Sequence, residues 1–167
     1  MRLISLSLSL IGLAVAGLAT WAISGAIGIP RGSSSMAFRL GLALAALLPA
    51  AMVLAAMVFA QMLLRFVTGA FDPLAGQDGR LLVLNQRVIT NTVEQLAVFA
   101  PALLAWAAGA DASAMPWVIA LGVVFAAARI VFWIGYLIDP VARAAGMAPS
   151  AAASVAAIVA AVRAWIT

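Results

Sequence analysis

Between Arg87 and Phe99 the chain sets an arginine, an asparagine, a glutamate and a glutamine (Arg87, Asn91, Glu94, Gln95) into a stretch otherwise apolar enough to cross a membrane. A charge at the centre of a spanning helix costs about 2.5–3.5 kcal/mol on insertion scales, so such residues are paired or functional. Helical periodicity gathers Arg87, Asn91 and Glu94 into a narrow arc, with Gln95 at its edge. That stripe has to face protein or a water-filled cavity. A second polar set follows: Arg129, Tyr136 and Arg143 are seven apart and share a face while the helix persists, flanked by Phe132. Asp139-Pro140 is placed to end or bend that helix before Arg143. Three arginines, one carboxylate, an amide and a phenol leave an excess of positive charge, which suits an anionic ligand. The competing reading is that Glu94 pairs with Arg87 or Arg129 and simply holds the helices together.

The composition says what positions these groups. Of 167 residues, 67% are hydrophobic and 8% charged, and the mean hydropathy is +1.21. A soluble domain of this size does not have that balance; a polytopic helical membrane protein does. The chain has no cysteine and no histidine, so protein-borne disulfides, thiolate nucleophiles and the usual zinc or haem ligation are excluded and no metal is expected. The net charge of +4 comes from nine arginines against five acids, with no lysine. The arginines are scattered at helix ends and inside helices rather than clustered, which argues against nucleic-acid binding.

Five apolar spans are predicted: Leu3–Ile27, Leu40–Leu64, Leu81–Ala108, Pro116–Ile138 and Ser150–Ile166. The first exceeds the roughly 7–15 apolar residues of a signal-peptide core, which favours an uncleaved helix. Arg39 and Arg65 bracket the second as interfacial anchors, with a ligand contact from Arg65 as the sharper reading; Pro49 is placed to kink it. Asn85, Gln86 and the Gln61/Arg65 pair read as interfacial. Asp72-Pro73 and Gly76-Gln77-Asp78-Gly79 mark turns in the longest polar connection. The fifth span is alanine-rich and is expected to insert by close packing of small residues. Arg2, Arg65, Arg80 and Arg143 fall on one side and Arg31, Arg39 and Arg163 on the other, so the 2–3 and 4–5 loops are assigned to the cytoplasm. Glu94 then lies about 20 Å into its helix and Arg129 about 15 Å from the exit of the next, at comparable depth, giving a pocket that opens to the cytoplasmic leaflet.

Arg87, Asn91, Glu94 and Phe99 on one helix, and Arg129, Phe132, Gly135-Tyr136 and Arg143 on the next, resemble the paired motifs of the MAPEG family, the membrane-associated proteins of eicosanoid and glutathione metabolism. The resemblance covers about Leu40 to Ile166. It implies an all-α four-helix transmembrane bundle over residues 36–167, to which residues 1–30 add an N-terminal transmembrane helix. It further implies a homotrimer that binds glutathione between neighbours, with Arg87, Asn91, Glu94, Arg129 and Tyr136 holding the peptide and Arg143 stabilising its thiolate. Arg65 matches a neighbour-supplied basic residue loosely. Phe132 stands where the family's synthases and transferases often carry tyrosine, and Gln95 where they often carry an aromatic.

The function this implies is a glutathione-dependent transferase or peroxidase acting on a hydrophobic small molecule or lipid, in a multi-pass protein of a bacterial inner membrane. A non-catalytic lipid-binding or scaffold protein of the same fold is the alternative. A small transporter is a third reading, disfavoured by the lack of an internal repeat.

Overall fold

The structure is a computed structural model and describes residues 1–72, 74, 76 and 78–166. Pro73 and Gln77 of the expected turns, and Thr167, lie outside the described residues. Among these residues the chain forms α1 (Arg2–Ala26), α2 (Met36–Thr68), α3 (Arg80–Gly109), a short 3₁₀ turn (Ala112–Ala114), α4 (Met115–Ile138) and α5 (Ala144–Ile166). All five α-helices are long and apolar enough to cross a membrane. Each matches an expected span: α1 ends one residue short of Ile27, and the others cover theirs, most with an extra turn or less at the ends, because helices continue through the interfacial residues that a hydropathy reading trims. The exception is α5, which starts six residues earlier than expected. Pro149 sits within it and leaves the helix unbroken.

The helices run up and down. Near one end, Asn85 of α3 donates to Met57 O of α2, and Trp133 of α4 reaches Asn85. At the other end, Arg39 at the start of α2 donates to Ala107 O and Ala108 O at the end of α3. It also binds Ser33 O and Ser34 O of the α1–α2 connection. One guanidinium therefore satisfies carbonyls that the last turn of α3 leaves open. That is a stronger role than interfacial anchoring.

The centre of the bundle is α4, with 13 of its 24 residues buried. It packs on α1, α2, α3 and α5. Its ring Phe125 stacks on Phe99 of α3, centroids 4.1 Å apart. Gly146 of α5 lies directly against Phe132 N and Ala128 O of α4, where any side chain would collide with backbone. That contact seats α5 deeply beside the second polar motif. By contrast α1 packs on α4 and α5 and has one buried residue, Ser24. It is an outer helix.

Candidate functional site

Five of the residues singled out by sequence come together. Arg87 and Asn91 of α3, Phe132 and Tyr136 of α4, Arg143 of the α4–α5 connection and Met147 of α5 line one cavity of about 240 Å3. The α4 helix ends at Ile138, and Asp139 accepts a bond from Val141 N in the turn that follows. Arg143 is thus not on the same helix as Tyr136. The turn nevertheless brings its guanidinium carbon to 5.1 Å from the Tyr136 ring centre, the separation of a cation–π contact. Two guanidinia, a phenol and an amide face this cavity, and no carboxylate among the described residues lines it. Such a donor set binds carboxylates or other anions.

Arg129 lies behind the cavity and is completely buried. Its Nη2 donates to Asn91 Oδ1 at 3.0 Å and to Thr92 Oγ1 at 2.8 Å, and its Nη1 to Ser150 Oγ at 3.2 Å. Its guanidinium carbon sits 4.0 Å from the Phe132 ring centre. Four helix-borne groups thus solvate one charge without an anion. Because Asn91 spends its carbonyl oxygen on Arg129, its NH2 remains as a donor at the cavity wall.

Glu94 does not pair with Arg129 or Arg87; it forms no ion pair among the described residues and is exposed on the single chain. The reading of a pair inside the bundle is corrected: Arg129 spends both Nη groups on neutral partners and its buried Nε has no hydrogen-bond partner among the described residues, while Glu94 is exposed on α3. Val83, Arg87, Thr90, Glu94, Ala97 and Pro101 are all exposed and recur at alternating intervals of four and three residues. That is the seam spacing of helices that associate along their length.

Arg65 does not reach the cavity. It holds Asp78 through two bonds of 3.0 and 2.8 Å and also binds Ala70 O. Gln61 and Asn85, read as interfacial, are buried instead. Asn85 donates to Gln61 Oε1 and Met57 O and accepts from Trp133 Nε1, and Gln61 donates to Leu82 O. This network ties α2, α3 and α4 together close to the cavity, with Asn85 two residues before Arg87 and Trp133 next to Phe132. The sequence signal for it was the pair of amides near the ends of consecutive spans. Thr92 and Ser150, which hold Arg129, carried no signal beyond being polar in an apolar run. Asn85→Leu leaves the indole N–H, Gln61 Oε1 and Met57 O without their partner, and membrane hydrogen bonds are worth about 0.6–2 kcal/mol each. The variant is expected to lower stability in detergent by about 2 kcal/mol, read from the unfolding midpoint.

Comparison with protein-family models matches residues 40–163 to the MAPEG family. Comparison with curated proteins gives no match, and neither does comparison with solved structures. The matched segment holds α3, α4, the cavity between them and most of α2 and α5, and it leaves α1 outside. Motif, five-helix architecture and family model agree: the chain is an integral membrane protein that belongs to the MAPEG family.

Proposed function

We propose that the protein is a glutathione-dependent transferase or peroxidase whose second substrate is a hydrophobic molecule dissolved in the bilayer. The observation that carries this reading is the cavity built from Arg87, Asn91, Tyr136 and Arg143, cationic and donor-rich and lined by no acid. Glutathione fits the chemistry of that donor set, with two carboxylates for guanidinium groups and one ammonium for a carboxylate. It supplies the nucleophilic sulfur that the cysteine-free chain lacks.

In this reading Arg87 and Tyr136 clamp a carboxylate, the Asn91 NH2 donates to the peptide, and Arg129 fixes Asn91 from behind. Arg143 lies at the mouth, where its charge lowers the pKa of a thiol from roughly 8.5. Arg65, committed to Asp78, has no direct part. The family's association with glutathione supports the same assignment.

A cavity of about 240 Å3 is smaller than the roughly 300–1,000 Å3 of ligand sites. The missing wall is proposed to come from a neighbouring copy. The exposed seam of α3 carries Arg87 and Glu94 at membrane depth, and a carboxylate cannot stay against lipid there. Covering that seam in a homotrimer brings Glu94 beside the neighbour's cavity, where it can take the ammonium. The arginine bias then puts the mouth on the cytoplasmic side of a bacterial inner membrane.

Two measurements test the reading. In liposomes, the protein is expected to consume glutathione in the presence of a hydrophobic electrophile or hydroperoxide, and Arg87→Ala to raise the KM for glutathione about tenfold, the effect of losing a charged hydrogen bond. Absence of turnover with every such acceptor, in protein that binds lipid, would favour the scaffold reading. That alternative draws on Phe132, which gives the cavity a wall without a hydroxyl. In mild detergent the expected mass is that of three chains, and Glu94→Arg, which gathers like charges along the seam, is expected to yield monomers. A monomeric wild-type protein contradicts the shared site.

A further inference from the structure

The α1 helix lies outside the family core, yet one face of it runs past the site. Arg2, Ser5, Ser9, Leu13, Ala16 and Thr20 recur every three or four residues and share that face. Its first half borders a cleft of about 540 Å3 against the α4–α5 connection, in which Arg2, Ser5 and Ser9 oppose Arg143. Its second half borders a groove of about 280 Å3, in which Leu13, Gly17 and Thr20 face Ala152 and Ala156 of α5, with Trp117 of α4 at the far end. A charged compartment is thus followed, one helical turn on, by an apolar one.

Polar groups in the cleft are one-sided. Two arginines from separate elements line it and, among the described residues, no carboxylate does. Ser7 returns its hydroxyl to Leu3 O and Thr20 to Ala16 O, as hydroxyls in spanning helices commonly do. The Ser5 and Ser9 hydroxyls, half-buried at the cleft, make no such bond among the described residues. The distances also match. From Ser9 to Thr20 is 11 residues, about 16 Å of helix, against about 15 Å for one leaflet of a hydrocarbon core roughly 30 Å thick.

We propose that this face of α1 forms, with α4, α5 and their connection, a binding site for an anionic phospholipid. The phosphate sits between Arg2 and Arg143 and accepts from Ser5 and Ser9, and one acyl chain lies in the groove beyond Leu13. The site is separate from the glutathione cavity apart from sharing Arg143, and it does not rest on the protein being an enzyme. Charge complementarity selects the occupant. A neighbouring helix laid in the groove would leave two arginines and two hydroxyls in the cleft without an anion.

The test uses the full chain in detergent with phosphatidylglycerol or phosphatidylcholine of identical acyl chains, reading lipid retention by native mass spectrometry. A surface arginine favours anionic lipid about fivefold, so two give a preference of roughly tenfold to thirtyfold for phosphatidylglycerol. Arg2→Glu is expected to abolish the preference, and Leu13→Trp, which fills the groove, to lower retention of phosphatidylglycerol with helical content unchanged. Should Arg2→Glu fail to fold, Arg2→Gln serves, with an expected loss of about fivefold. Equal retention of the two lipids overturns the proposal. So does a preference that survives a folded Arg2 variant, retention that ignores Leu13→Trp, or full competition by soluble glycerol phosphate, which would mark a headgroup site without a chain groove.

Discussion

Arg143→Ala is expected to cut turnover with glutathione about 10–30-fold at pH 7 while changing the KM for glutathione less than about threefold. The guanidinium is exposed, and its protein contact is the face of Tyr136. Its backbone carbonyl, which accepts from Gly146 N and Met147 N at the start of α5, is untouched by the substitution. The fold therefore has little to lose. The loss falls on the thiolate. A cation that lowers a bound thiol by one to two pKa units stabilises the anion by about 1.4–2.7 kcal/mol. Without it the pKa rises back towards roughly 8.5 and only a few per cent of bound thiol is ionised at pH 7. The sign fixes the pH profile. The rising limb of the rate moves to higher pH, so the deficit is largest below pH 7 and shrinks above about pH 8.5. A uniform loss at all pH values, with binding reduced in proportion, would make Arg143 a carboxylate clamp instead.

The second large effect belongs to Arg129, and it depends on what replaces it. Arg129→Ala removes the whole of a completely buried side chain and its stacking on Phe132. Large-to-small changes of this kind cost about 3–5 kcal/mol, which is expected to appear as a steep fall in the unfolding midpoint. Arg129→Met keeps most of the volume and removes a buried charge that has no anionic partner. Thr92 Oγ1 still donates to Val88 O, and Ser150 Oγ to Gly146 O or Met147 O. Both hydroxyls lose the bond they accept from Arg129 but keep the one they donate, so Asn91 Oδ1 alone is left without a partner. Volume-conserving replacement of a buried charge is often close to neutral, so the methionine variant is expected within about 1.5 kcal/mol of wild type. Asn91, no longer held, should turn, and glutathione affinity should fall about tenfold, the worth of a charged hydrogen bond. A methionine variant that binds glutathione normally would show that Arg129 does not orient Asn91.

The contrast between these arginines shows how far sequence reaches. The spans and the two polar motifs were legible because charge in an apolar run is rare and helical spacing is rigid. Asp139-Pro140 announced the end of α4. What spacing does not carry is the rotation of one helix against the next. Glu94 and Asn91 lie within one arc of α3, yet the packing of α4 turns Asn91 to Arg129 and leaves Glu94 outside. Arg39 follows a serine-rich connection and Arg129 stands within an apolar run, yet neither setting names the partners. One ends on four backbone carbonyls of α3 and the α1–α2 connection, the other on neutral side chains, because their positions along the bundle differ. Gln61 and Asn85 read as interfacial because each stands near a helix end. They are buried because α2 and α3 pack side by side there, so that the two amides bond one another and the Trp133 indole of α4 closes over Asn85.

A cationic cavity, completed by a neighbouring copy, is proposed to hold glutathione as a thiolate. The ultraviolet difference spectrum of the detergent-purified protein, titrated with glutathione at pH 7, tests this most directly. The expected result is a thiolate band that saturates with glutathione, disappears when a hydrophobic electrophile is added, and is weakened in Arg143→Ala. A folded, trimeric protein that shows no saturable thiolate band would contradict it.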